Sequence, residues 1–189
     1  MVWGIVHSTT ASLEAKGWTR RMLGEAGMRF YRFGYNLFSV VSFAPILWLM
    51  TILPDQVLYR IPPPWIYLSI TGQLAAVILL VVGVLHTDAL SFVGLRQLFE
   101  KSEPSSQLVT HGLYRWVRHP LYAAGLLFIW LTPVMSINSL VVALSATIYI
   151  IVGALFEERK LEREYGMNYA EYKATTPMLI PGLVFRRNK

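Results

Sequence analysis

Between Arg60 and Asp88 the chain has no Asp, Glu, Lys or Arg, and from Ile66 to Leu85 it is almost wholly apolar. A run of that kind cannot lie on the surface of a water-soluble domain. In hydrocarbon every backbone N–H and C=O must find its partner within the segment, so the run has to be a helix. At 1.5 Å per residue, about 20 residues cross a hydrocarbon core of about 30 Å. Residues 66–86 therefore predict a membrane span ending at His86. Residues 36–53 form a second uncharged run, stopped by Pro54 and Asp55, and residues 120–135 and 137–156 form two more. With 54% hydrophobic and 15% charged residues in 189 and a mean hydropathy of +0.46, the chain is too apolar for an ordinary soluble domain.

The expected fold class is all-α: an integral membrane helical bundle in one domain over residues 1–189, with about four full transmembrane helices. An N-terminal amphipathic or partial helix and a C-terminal cytosolic helix complete it. Met1 to Val6 is too short an apolar start to span, and it lacks the basic leader of a secretory signal. Residues 14–35 set Lys16, Arg20, Arg21, Arg29 and Arg32 among Trp18, Met22, Leu23 and Phe30, the pattern of an interfacial helix. Residues 54–65, with Arg60 and Pro62-Pro63-Pro64, mark a short stiff connection and Thr132 to Ser136 a tight helical hairpin. Gly72, Ala75, Ala76 and Gly83 are small enough for close helix packing. From Glu157 onward, charges spaced for i,i+4 pairing predict a helix as far as Gly166.

The formal charge of +6 points to anionic lipid headgroups beside the spans rather than to nucleic acid. With no cysteine, disulfides, thiolate metal sites and a cysteine nucleophile are excluded. His7, His86 and His111 show no metal-ligand spacing, so no metal is expected. Lys and Arg number five in residues 1–35, one between the first two spans, four in residues 87–119, none in the hairpin turn and seven after residue 156. The positive-inside rule then sets both termini and the central loop in the cytoplasm. His119 and Glu157 fall on that same side, at the two ends of one hairpin.

Residues 107–122 read Gln-Leu-Val-Thr-His-Gly-Leu-Tyr-Arg-Trp-Val-Arg-His-Pro-Leu-Tyr. Pro120 suits the first turn of a helix, whose free N–H groups then lie beside a cationic and aromatic cluster. Two readings stand on residue chemistry alone: an interfacial belt that anchors a helix end, and a binding site for an aromatic or anionic ligand. The Glu157-Glu158 pair is likewise either a solvated helix face at a membrane exit or a working pair of carboxylates.

Gly112, Tyr114, Arg118-His119-Pro120-Leu121-Tyr122 and, further on, Glu157-Glu158, Leu161, Gly166, Tyr169 and Tyr172 resemble, in order and spacing, the isoprenylcysteine carboxyl methyltransferase superfamily, which includes phospholipid methyltransferases. The resemblance covers residues 86–181. It implies an enzyme, a membrane methyltransferase using S-adenosylmethionine and releasing S-adenosylhomocysteine, with a cofactor-binding core over residues 94–181. Carried over by position, it implies cofactor contacts at Gln97, Gln107, Leu108, Val109, Tyr114, Arg118, His119, Pro120, Leu121, Tyr122 and Glu158. Glu157, His119 and Glu158 are implied as catalytic.

Prenylcysteine enzymes carry an arginine one turn before the glutamates, and this chain has Gly153 there, so a clamp for a substrate carboxylate is missing. Gly94-Leu95-Arg96-Gln97, Trp130 to Met135 and Thr176 to Pro181 are similar to a bacterial branch holding methanethiol S-methyltransferases and NnrU-type membrane proteins. The expected acceptor is a small or lipophilic thiol. A phospholipid amine or prenylcysteine acceptor is the alternative, and a non-enzymatic membrane assembly protein is the alternative of another class.

Overall fold

The computed structural model describes residues 2–86 and 108–183, which fall into two compact units. The N-terminal unit holds α1 (Val2–Ala11) and α2 (Leu13–Ile52). Ser12 separates them and caps α2, its hydroxyl accepting from the Ala15 N–H at 3.1 Å. Trp3 bonds Ser42 at 2.9 Å, His7 meets Tyr35 at 2.6 Å and the Tyr31 hydroxyl donates to the Thr10 carbonyl, so α1 runs antiparallel to the later part of α2. The reversal falls between these contacts, where Gly24 leaves helical geometry at φ 63°, ψ −163°, a conformation a side chain would oppose. Gly24 thus divides the basic stretch 14–35, and its later part runs on into the apolar run as one helix.

The second unit contains β1 (Val57–Arg60), α3 (Trp65–His86, as far as Gly83), α4 (Pro120–Trp130), β2 (Val134–Ser136), α5 (Ile137–Tyr165) and α6 (Met167–Thr175). Small residues let α3 and α4 approach. Ala76 is fully buried, and a Cβ on Gly72 or Gly83 would come within 2.4 Å of Leu131 or 2.6 Å of Leu121. Ser69 donates to the Leu131 carbonyl, and the Gln73 amide donates to that of Phe128 at 3.0 Å. The Trp130 indole N–H donates to Thr147 at 2.9 Å, tying α4 to α5. A reciprocal Ser136–Ser139 cap starts α5.

Among the described residues, three helical segments are long and apolar enough to cross a membrane: Phe33–Ile52, Trp65–Leu85 and Ile137–Tyr165. Leu74, Ile78, Val81, Val141, Ile148 and Val152 on them are exposed, as side chains facing lipid are. The chain is a helical membrane protein. The fourth apolar run is shorter than expected, because α4 has 11 residues, about 16 Å by its rise per residue. It stops where Val134–Ser136 turns extended and pairs antiparallel with Val57–Arg60, with Ile61 N–H bonded to the Pro133 carbonyl at 2.9 Å. The expected hairpin turn and stiff connection are thus the two strands of one ribbon. Pro133 cannot donate within a helix, and pairing satisfies the backbone groups of both segments.

Candidate functional site

The two polar ends of the α4–α5 hairpin meet. Arg118 and His119 precede Pro120, which occupies the first turn of α4. Their backbone N–H groups donate to the carbonyls of Pro177 (2.9 Å) and Met178 (3.1 Å), so the segment after α6 fixes the approach to α4. Glu157 and Glu158 sit late in α5, and Gly166, at φ 54°, then turns the chain into α6.

Arg118 and Glu158 form the buried centre, with side chains 8% and 3% exposed. The guanidinium reaches Glu158 Oε1 from Nε at 2.7 Å and from its terminal nitrogen at 2.5 Å. Its other nitrogen donates to the carbonyls of Thr176 and, at 3.2 Å, Lys173. Lys173 places Nζ 2.9 Å from Glu158 Oε2 and 2.8 Å from Glu162 Oε1. Each buried charge is thereby matched and hydrogen-bonded, the condition under which ion pairs persist away from water.

His119 lies beside this centre, its side chain 4% exposed, with Nε2 3.4 Å from Glu158 Oε1 and Nδ1 3.6 Å from Glu157 Oε2. Neither contact is a good hydrogen bond, and Nε2 has no hydrogen-bond partner among the described residues. The ring stacks on Tyr122 at 5.4 Å, and Tyr122 donates to Glu157 Oε2 at 3.0 Å. Glu157 is 45% exposed, so one carboxylate of the pair is locked in the interior while its neighbour faces outward.

A cavity of about 150 Å³, open on one side, is lined by Leu108, Val109, Tyr114, Arg118, His119, Glu157, Leu161, Tyr165, Tyr169 and Tyr172. That is room for part of a cofactor-sized molecule and not for a whole one. The Tyr172 hydroxyl donates to the Tyr114 carbonyl at 2.6 Å, holding the turn Gly112–Arg115 at the rim. Burial, then the charge of Glu157, raises the Tyr114 pKa; burial also pushes Tyr172 up to about 12, against the opposing charge of Arg118.

Of the residues singled out in the sequence, Leu108, Val109, Tyr114, Arg118, His119 and Glu157 come together on this cavity. Pro120, Leu121, Tyr122 and Glu158 do not line it: Pro120 is buried in α4, Leu121 packs toward Gly83 of α3, Tyr122 orients Glu157, and Glu158 is engaged by Arg118 and Lys173. Gln97 and Gln107 lie outside the described residues. Sequence reasoning gave no site role to Lys173, Leu161, Tyr165, Tyr169 or Tyr172. The signal was present in Tyr172 and Lys173, which follow Tyr169 by three and four residues and so share its helix face. Among the described residues no group of three His, Asp or Glu side chains could hold a metal ion.

Comparison with known proteins bears on this arrangement. The family model described as Phospholipid methyltransferase matches residues 68–168. Methanethiol S-methyltransferase of Crocosphaera subtropica is 29% identical over 95% of this chain and 71% of its own length. Methanethiol S-methyltransferase 2 of Bradyrhizobium diazoefficiens is 44% identical over 53% of this chain and 40% of its own length, and Methanethiol S-methyltransferase 1 of that organism is 30% identical over 95% and 64%. The chain thus spans between 40% and 71% of these relatives. No solved structure matches significantly. The superfamily, its bacterial branch and the methyltransferase class read from the sequence are all met by these matches. Since the matched residues make up more than half of the chain and include both polar ends of the α4–α5 hairpin, the chain belongs to the phospholipid methyltransferase family.

Proposed function

We propose that the protein transfers a methyl group from S-adenosylmethionine to a small, uncharged thiol, at the cytoplasmic face of a bacterial inner membrane. The observation that carries this reading is the approach of His119 and Glu157, Nδ1 to Oε2 at 3.6 Å, on the wall of a partly apolar cavity. The names of the relatives support a thiol acceptor, and the lack of a cation at Gly153 argues against a carboxylate-bearing one. Residues 1–189 are read as one methyltransferase domain with both termini in the cytoplasm, on the distribution of Lys and Arg.

When bound, S-adenosylmethionine supplies an electrophilic methyl carbon on a sulfonium, and leaves as S-adenosylhomocysteine. The residues present fit part of such a group. Leu108, Val109 and Leu161 offer apolar surface to a flat base, and Glu157 sets a negative charge beside the cavity for the cationic sulfur. His119 Nε2 and the Tyr169 hydroxyl, buried without hydrogen-bond partners among the described residues, suit polar ligand atoms. Tyr122 holds the Glu157 carboxylate in place from 3.0 Å. Glu157 Oε2 can then take the proton of an R–SH acceptor as its sulfur bonds the methyl carbon, with His119 Nδ1 near enough to share it. Glu158, both of whose oxygens are engaged, positions Arg118 and does not react. Gln97, Gln107, Pro120 and Leu121 are further cofactor contacts on the resemblance alone.

The family description favours a second reading, in which the acceptor is a phospholipid amine. Labelled methyl transfer by purified protein in detergent, onto methanethiol, a prenylcysteine analogue and phosphatidylethanolamine, separates the two. Label on methanethiol is expected; label on lipid alone overturns the thiol reading, and no binding of S-adenosylmethionine by folded protein overturns both.

A further inference from the structure

Tyr169 is 1% exposed, yet its hydroxyl has no hydrogen-bond partner among the described residues. A hydroxyl taken out of water without a new bond is an uncompensated cost, and native proteins rarely leave one. Tyr169 lines the cavity beside His119, whose Nε2 is the other buried polar side-chain atom in this condition. The phenol ring is fixed in advance. It packs edge-on against Tyr172 at 6.0 Å, and Tyr172 is anchored to the Tyr114 carbonyl at 2.6 Å. Burial and then the charge of Glu158 raise its pKa against the opposing influence of the Arg118 guanidinium nearby, so the oxygen keeps its proton and offers both a donor and lone pairs.

We infer that the Tyr169 hydroxyl is a binding contact for the amino-acid end of the methyl donor. This rests on the proposed use of S-adenosylmethionine. The cavity divides into an apolar side, Leu108, Val109 and Leu161, suited to adenine, and a polar side of Arg118, His119, Glu157 and Tyr169. A paired ammonium and carboxylate matches the second side, where a phenol can accept from one and donate to the other.

The test compares wild type with Tyr169→Phe, using calorimetric titration of S-adenosylhomocysteine and of methylthioadenosine, which lacks the amino-acid end, and thermal unfolding without ligand. Removing a hydroxyl that makes no well-formed hydrogen bond among the described residues leaves the unliganded melting temperature unchanged or higher. Affinity for S-adenosylhomocysteine falls about 10-fold or more, a charge-assisted hydrogen bond, while that for methylthioadenosine stays within about 2-fold. A lower melting temperature with unchanged affinities assigns the hydroxyl to folding and overturns the inference. Equal loss for both ligands, or no loss for either, overturns it too. Failure of wild type to bind S-adenosylhomocysteine is a separate result, which removes the underlying reading of the cofactor along with the inference.

Discussion

Arg118 and Glu158, 40 residues apart in sequence, close the α4–α5 hairpin as a buried ion pair whose shortest contact is 2.5 Å. The pair is the joint of the site: Arg118 also gathers the carbonyls of Lys173 and Thr176, so one guanidinium links the start of α4, the end of α5, α6 and the segment after it. Breaking it by Arg118→Met leaves the buried Glu158 carboxylate without its guanidinium, next to Lys173 and the His119 ring. Loss of one partner of a buried pair costs about 3–5 kcal/mol, so a clear fall in melting temperature in detergent is expected. Arg118→Lys restores little of it, because an ammonium lacks the planar fork.

Glu157 and Glu158 are predicted to respond differently. Glu157→Gln keeps the shape and the Tyr122 contact but removes the charge, and turnover is expected to fall by about 10²-fold or more, with affinity for S-adenosylhomocysteine, whose sulfur is uncharged, nearly unchanged. Glu158→Gln lowers the melting temperature first, because Arg118 and Lys173 lose their shared anion. His119→Ala and Tyr122→Ala weaken cofactor binding. Turnover rates and titrations on the four variants distinguish these outcomes, and equal turnover in all of them contradicts the roles given.

Alkaline pH should loosen this end of the molecule. Tyr172 is raised to about 12 by burial and Tyr169 is also raised; for Lys173 burial pulls downward, but the carboxylates of Glu162 and Glu158 outweigh it and raise it. With folded-state pKa values above the unfolded ones, the folded chain keeps protons that the unfolded chain releases. The contribution to stability is therefore complete below about pH 10 and is lost as pH climbs toward about 12. Melting temperature against pH, with phenolate absorbance followed in parallel, tests this, and Tyr172→Phe should flatten part of the alkaline decline.

Gly166 is the corner on which α6 turns. At φ 54°, ψ −125° it occupies a region in which a side chain is strained, although nothing lies within 4 Å of where a Cβ would stand. Gly166→Ala is expected to cost about 1–3 kcal/mol in thermal unfolding. It should also weaken cofactor binding, because Tyr169, Tyr172 and Lys173 are carried on the helix that follows.

Much of this molecule was written locally. Uncharged runs of membrane length fix helices at residues 36–53, 66–86 and 137–156, since hydrocarbon permits such a segment no other structure. Arg118-His119-Pro120 announces a helix start with polar chemistry in front of it, and the hairpin requires Glu157 to return to the same side. Pairing between distant segments is not local and was not legible. The α4 helix stops at Trp130 because Val134–Ser136 pairs with residues 57–60, more than seventy positions earlier, and no periodicity within 120–135 encodes that partner. The division of labour between adjacent glutamates was hidden for the same reason. On a helix, neighbours point about 100° apart, and only the packing of α6, which brings Lys173 to Glu158 and leaves Glu157 to Tyr122, decides which carboxylate is held inside and which faces outward.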